Sequence, residues 1–169
     1  MTKKTNQYKQ PIAEIEKHYE VKDPWFYEST PDDQVRKDKI LETLKGRTYK
    51  RALDIGGGEG WISKDLPAES IEVYEVSENA RKRLPEGILG VTEATGKYDL
   101  IVGTGIFYQH YDYEKFLDII KNHSSGNVLL CNIDSWIVDE VYERLGQPST
   151  RETFPYREFT QRLEFYENI

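Results

Sequence analysis

The chain has 169 residues and a formal net charge of −7, with a sequence pI of about 5.1. This length suits one compact domain, and the acidic balance disfavours a nonspecific nucleic-acid surface, which would need clustered lysine and arginine. A single cysteine, Cys131, excludes a disulfide framework or a cysteine zinc site, and we predict that it is a small buried core residue. The sequence has no apolar run of about 18 residues, so no membrane span is predicted. Residues 1–10 are polar and lack a signal-peptide core, so we expect a cytoplasmic protein.

Helices and strands alternate along the predicted chain. Helices are predicted over 11–19 and 32–44, with an aromatic loop at 23–33 between them. Strands are predicted over 51–55, 71–76, 88–91, 98–103 and 127–133, and helical segments over 61–66, 78–84, 113–121 and 135–145. The link at 92–97 is too short for a good helix, and the tail is predicted as a short helix at 156–163 and an edge strand at 164–169. Such alternation predicts an α/β protein with a doubly wound, mostly parallel sheet.

Four glycines follow the first predicted strand within five positions: Gly56, Gly57, Gly58 and Gly60. A turn of this kind needs φ angles that a Cβ penalises, and it lets a ligand approach the backbone closely. The spacing excludes a dinucleotide fingerprint, because the last position of G-x-G-x-x-G falls on Trp61 or Ser63. A P-loop is excluded as well, since no Gly-Lys-Ser/Thr follows.

The pattern Asp54-x-Gly56-x-Gly58-x-Gly60 resembles motif I of the class I S-adenosylmethionine (SAM)-dependent methyltransferases. This resemblance implies a Rossmann-like class I methyltransferase fold with SAM as the cofactor. It implies one SAM-binding domain over 1–169, with residues 1–46 as an N-terminal helical lid. Only 36 residues follow Ile133, which leaves room for one clear strand and a second short one. We therefore expect the C-terminal strands of the fold to be trimmed.

The resemblance also implies cofactor-binding residues at the carboxyl ends of the strands. Asp54 and the glycine turn, Gly57 included, would face the amino-acid part of SAM. Glu75 follows Asp54 by 21 residues, near the offset expected of a ribose-binding acid, whereas Glu72 is a competitor within the strand. Three further positions complete this implied set: Val76 against the adenine, and Gly103 and Thr104 at a strand end that resembles motif IV. Glu93 lies where relatives often have an acid near the adenine amine, or it is a solvated loop residue.

Residues 23–29 and the Arg36-Lys37 pair look like the N-terminus of the nodulation-type N-methyltransferases, which methylate an amino sugar of chitooligosaccharides. That likeness implies that Trp25 lines the pocket and that Arg36 reaches the SAM carboxylate. The alternative is that Trp25 and Phe26 staple the N-terminal segment to the core.

His110 and Tyr108, in the loop after the fourth strand, are the candidate catalytic residues. An imidazole can remove a proton near neutral pH if the acceptor begins protonated, although a histidine among tyrosines can also be purely structural. No histidine pair has a metal-binding spacing, so no metal is predicted.

These observations predict a SAM-dependent methyltransferase acting on nitrogen or oxygen of a small polar acceptor, sugar-like molecules included. One alternative is a protein or nucleic-acid methyltransferase, although the acidic surface and the absence of Asn/Asp-Pro-Pro-Tyr after the fourth strand count against nucleic acid. Another is a non-catalytic SAM-binding module. The identity of the acceptor and the oligomeric state are not predicted.

Overall fold

A seven-stranded sheet forms the centre of the protein in the computed structural model, which describes residues 9–169. Its strands are β1 (Tyr49–Ile55), β2 (Ala68–Tyr74), β3 (Ile88–Val91), β4 (Tyr98–Thr104), β5 (Ser124–Ile133), β6 (Thr150–Tyr156) and β7 (Phe159–Tyr166). The helices are α1 (Ile12–His18), α2 (Pro31–Thr43), α3 (Glu78–Lys82), α4 (Tyr113–His123) and α5 (Glu140–Leu145), with a 3₁₀ turn at Ser63–Asp65.

The strand order is β3-β2-β1-β4-β5-β7-β6. Strands β1 to β5 pair in parallel, and β7 pairs antiparallel with both β5 and β6. The order reverses between β1 and β4, and ligands bind such sheets outside the carboxyl ends of the strands at that point. The prediction of a doubly wound, mostly parallel sheet is therefore confirmed.

Side chains alternate between the two faces of the sheet, and each face has its own core. Leu53 of β1 packs in a cluster with Leu117 of α4 on one face, whereas Ala52 packs with Ile40 of α2 on the other. Cys131 is fully buried in the second cluster, as predicted. Within residues 9–169, no helix has the length and apolar character needed to cross a membrane.

The expectation of trimmed C-terminal strands is wrong. Strands β6 and β7 have seven and eight residues and form a complete antiparallel hairpin. The predicted helix at 156–163 is also wrong, because buried Gln161, Leu163 and Phe165 recur at every second residue, the period of a strand. The hairpin was missed because its two-residue turn has no glycine, and Arg157 takes the left-handed conformation instead, with φ of 52°.

Two predicted helices are shorter than expected. The segment 61–66 contains only the 3₁₀ turn, and the segment 135–145 becomes helical only at Glu140. The link between β3 and β4 contains no helix, as predicted.

Candidate active site

A cavity of about 480 Å³ lies at the carboxyl ends of β1, β2 and β4. The glycine turn after β1 forms its floor, and the N-terminal segment and the β6–β7 turn contribute to its walls. The predicted site residues that line it are Trp25, Arg36, Asp54, Gly56, Gly57, Gly58, Gly60, Glu75, Val76, Thr104, Tyr108 and His110. Most of the predicted set is thus gathered around one space.

Gly103 is the predicted site residue that does not line this cavity. It belongs to β4, and a Cβ there would lie 3.0 Å from Phe107 and 3.1 Å from Ile106. The absence of a side chain at Gly103 therefore lets the loop after β4 pack onto the strand, and a backbone role of this strand end toward the cofactor stays a prediction. Thr104 and Gly105, the next two residues, line the cavity in its place.

The glycine turn has backbone angles that L side chains rarely adopt. Gly56, Gly58 and Gly60 have φ of 67°, 59° and 82°. A Cβ at Gly57 would lie 2.8 Å from the Asp54 carboxylate, and one at Gly58 would lie 2.7 Å from the Tyr19 hydroxyl. The turn therefore presents bare backbone to a narrow space that side chains would fill.

Asp54, the last residue but one of β1, is 2% exposed. Its Oδ2 accepts a hydrogen bond of 2.6 Å from Ser63 Oγ, while its Oδ1 is buried and has no partner among the described residues. Burial raises the pKa of this carboxyl to about 7. A buried acceptor without a donor is rare in native proteins, and it indicates a ligand that supplies one.

Glu75 follows the end of β2 and is also buried. Burial raises the pKa of its carboxyl, and the backbone N–H groups of Ser77, Val76 and Gly58 act against that shift. Because the Gly58 N–H is one of the groups that hydrogen-bond the Glu75 carboxylate, the glycine turn and this carboxylate lie on the same side of the molecule. Glu72 instead pairs with Arg51 at 2.7 Å and does not line the cavity.

An aromatic ladder covers the cavity from the N-terminal side. Trp25 stacks on Tyr27 at 6.2 Å between ring centroids, and Tyr27 stacks on Trp61 at 5.7 Å. Trp25 also contacts Tyr19 edge-on at 5.2 Å, so it both lines the cavity and holds the segment in place. Phe26 is 67% exposed and takes no part in the stapling that the sequence suggested.

Glu59, inside the glycine turn, connects the turn to the aromatic ladder. Its carboxylate accepts the backbone N–H of Asp23 at 2.7 Å and pairs with Arg83 at 3.3 Å. Asp23 in turn accepts the backbone N–H groups of Tyr27 and Glu28. No local pattern in the sequence marks Glu59, because its partner Asp23 lies 36 residues earlier in the chain.

A buried charge cluster flanks the ladder. Arg36 is 4% exposed, and its Nη2 lies 3.2 Å from the fully buried Asp33 carboxylate. Asp33 also accepts hydrogen bonds from the Tyr156 hydroxyl at 2.6 Å and from Arg157 at 2.8 Å. Two guanidinium groups, those of Arg36 and Arg157, therefore share the Asp33 carboxylate beside the cavity.

His110 lies between two tyrosine rings in the loop after β4. Its ring centroid is 4.1 Å from that of Tyr111 and 5.8 Å from that of Tyr108. Burial lowers the pKa of His110 below 6.5, so the imidazole is neutral at neutral pH. The Tyr108 hydroxyl accepts the Ile133 N–H at 2.7 Å, and burial raises the pKa of this phenol. Tyr108 is therefore a protonated hydrogen-bonding group rather than a base.

Residues 9–169 contain no group of three or more His, Cys, Asp or Glu side chains that could hold a metal ion. The absence of a metal stays a prediction.

No family model matches the chain, and no curated protein matches it. Several solved structures, in contrast, match the chain. The N-methyltransferase NodS from Bradyrhizobium japonicum WM9, in complex with S-adenosylhomocysteine (SAH), is 17% identical with a TM-score of 0.77, over 93% of this chain and 97% of that one. Magnesium protoporphyrin IX methyltransferase from Synechocystis PCC 6803, with bound SAM, is 14% identical with a TM-score of 0.74, over 94% and 97%.

A third solved structure is the ribosomal protein L11 methylase from Lactobacillus delbrueckii subsp. bulgaricus. It is 18% identical with a TM-score of 0.59, over 79% of this chain and 77% of that one. Likeness at such identities shows the fold. The chain has the Rossmann-like fold of the class I methyltransferases, as the glycine pattern predicted.

Proposed function

We propose that this protein is a SAM-dependent methyltransferase that transfers a methyl group to nitrogen or oxygen of a small polar acceptor. The observation that carries the proposal is the orphaned Oδ1 of Asp54, buried beside a left-handed glycine turn in the cavity that Glu75 also lines. SAM offers what this arrangement needs: a donor for a buried acceptor, a chain that lies against bare backbone, and two ribose hydroxyls for a carboxylate.

The residues of the cavity have separate proposed roles toward the cofactor. Asp54 and the glycine turn hold the amino-acid part, and Arg36, which lines the same cavity, pairs with its carboxylate. Glu75 accepts hydrogen bonds from the ribose hydroxyls, and Val76 packs against the adenine. Trp25 and the rest of the ladder cover the cofactor, so residues 9–46 act as a lid on a single domain. Residues 1–8 of the predicted lid lie outside the described residues.

When bound, SAM supplies a methyl group that its sulfonium has already activated. The protein then has to bind the acceptor, orient it and exclude water. His110 is neutral and has no carboxylate partner among the described residues, so it is free to take a proton from an acceptor that arrives protonated. Tyr108 orients the acceptor by hydrogen bonding, and the rings around His110 keep water away.

The proposal of a small acceptor is supported by the cavity, which the aromatic ladder covers on one side. The fold does not select the acceptor, because two of the similar structures are named for different substrates, magnesium protoporphyrin IX and ribosomal protein L11. A cytoplasmic location stays a prediction.

Calorimetric titration with SAM and SAH tests the binding half of the proposal. Transfer of a labelled methyl group from SAM to a panel of small amines, phenols and carboxylic acids, compared with a protein and an RNA, tests the other half. Binding of both nucleosides with transfer to a small molecule supports the proposal. Failure to bind either nucleoside refutes it, and binding without any transfer identifies a non-catalytic module.

A further inference from the structure

A continuous row of five rings lines the part of the cavity beyond β4 and β5. The ring row consists of Tyr111, His110, Tyr108, Trp136 and Phe159. Neighbouring centroids are 4.1, 5.8, 5.5 and 5.0 Å apart in that order. Trp136 is 45% exposed, so part of a large apolar surface faces the open space. Such a surface binds flat apolar groups by stacking or edge-to-face contact.

Arg157 adds a cation to the same cavity. Its guanidinium donates from Nη2 to Asp33 at 2.8 Å and to the Trp25 carbonyl oxygen at 3.3 Å. Within the described part of the chain, Nε and Nη1 have no hydrogen-bond partner, and the side chain is 40% exposed. The guanidinium is thus held in place on one edge and open on the other.

The backbone at Arg157 carries a conformational cost. A φ of 52° is unfavourable for a residue with a Cβ, and glycine would adopt it freely. The turn is nevertheless fixed, because the Arg157 N–H donates to Asp32 Oδ2 at 2.6 Å. The side chain at this strained position pairs with the buried Asp33 carboxylate and lines the cavity.

Two aspartates in the segments next to the ring row are already engaged by arginines. Asp33 accepts hydrogen bonds from Arg36, Tyr156 and Arg157, and Asp134 pairs with Arg162. Stacking rings in the same cavity as a guanidinium with an open edge favour a flat anion over a neutral polyol.

We propose that the acceptor carries a flat ring and an anionic group of the carboxylate type. The ring row takes the ring, and the free edge of Arg157 takes the anion. This inference rests on the proposed function, since it names the acceptor class of that site.

Binding of matched probes tests the inference. Calorimetry on SAH-loaded protein compares 4-hydroxybenzoate and 3-hydroxy-2-naphthoate with their carboxamides, cyclohexanecarboxylate and chitobiose. We expect at least one aromatic carboxylate to bind about tenfold or more tightly than its carboxamide, because a charge-assisted pair with arginine is lost in the amide. Neither cyclohexanecarboxylate nor chitobiose should match it.

Variants separate the two parts of the site. Arg157→Gln should lower the affinity of the carboxylate about tenfold and leave the carboxamide unchanged, while Trp136→Ala should weaken both. Arg157→Gly should show the same loss as Arg157→Gln with an equally stable fold, because glycine relieves the left-handed turn. Arg47→Gln is the matched control, since Arg47 pairs with Glu167 and does not line the cavity.

The inference is overturned if no aromatic carboxylate binds more tightly than its carboxamide, or if Arg157→Gln weakens both equally. Its failure is distinguishable from that of the methyltransferase proposal, because SAH binding is measured first and the probes are also titrated without SAH. Carboxylate binding without SAH binding would refute the methyltransferase assignment alone, and SAH binding without carboxylate preference would refute the acceptor class alone.

Discussion

Replacing Asp54 with asparagine removes a charge from a site where burial raises the carboxyl pKa to about 7. The two side chains are nearly equal in size, and the asparagine carbonyl can still accept the 2.6 Å hydrogen bond from Ser63. The variant therefore separates charge from shape. We expect two opposite effects: a more stable protein without cofactor, and weaker binding of SAM and SAH.

The stability effect depends on pH in a defined direction. An aspartate carboxyl titrates at 3.8 in the unfolded chain and at about 7 here, so the folded state holds the extra proton between those values. The free energy of unfolding therefore falls as the pH rises through this interval and is constant above it. A difference of about three pKa units at about 1.4 kcal/mol each gives about 4 kcal/mol as the upper limit. Asparagine does not titrate, so Asp54→Asn should gain up to that amount relative to the natural protein.

Urea unfolding of the cofactor-free protein between about pH 4 and about pH 8 measures this gain. Asp38→Asn, at an exposed carboxylate on α2, is the control and should change the unfolding free energy by less than about 0.5 kcal/mol. Calorimetry on the same samples should show SAH affinity rising through about pH 7 in the natural protein only. If Asp54→Asn and the natural protein keep a constant stability difference across the whole range, the buried-carboxylate reasoning is refuted.

Three further substitutions test the remaining parts of the site. Gly58→Ala places a Cβ at a left-handed position, 2.7 Å from the Tyr19 hydroxyl. It should destabilise the fold by about 1 kcal/mol and weaken SAH binding at least tenfold. An unchanged affinity in calorimetry would contradict this reasoning. Glu75→Gln should weaken SAH binding by about 10-fold, because a neutral amide is a poorer partner for two ribose hydroxyls, and equal affinity would exclude the ribose role. His110→Ala should lower kcat for an acceptor that starts protonated by about 100-fold and leave SAH affinity unchanged. The natural protein should keep its rate to a lower pH than an ordinary histidine base would allow, because burial lowers the pKa of His110 and the neutral form is the base. Full activity in the alanine variant would refute that role.

The hairpin shows where local patterns failed. Residues 156–163 contain few turn signals, and a left-handed arginine replaces the glycine that would have marked the turn. Pairing with β5 then decides the conformation, because Leu163 and Phe165 are buried only when β7 completes the sheet. An isolated sequence segment does not contain that partner.

The part of the cavity around the glycine turn was predictable, because it belongs to one strand, the turn that follows it and the strand beside it. The spacing of Asp54, Gly58 and Glu75 is local information, and a parallel β1–β2 pair brings strand ends of that spacing together. The acceptor half was not predictable to the same extent. Asp33 meets Tyr156 and Arg157 across more than 120 residues, and the ring row joins three separate segments.

By itself, then, the sequence determined the fold class, the bare-backbone turn and the two acids that flank it, since backbone angles and chain spacing are properties of neighbouring residues. Tertiary structure alone decided which charges share a carboxylate, which rings line the open space and which oxygen of Asp54 lacks a donor. Those outcomes depend on packing between distant segments, where burial changes both the pKa of a group and the partners within its reach.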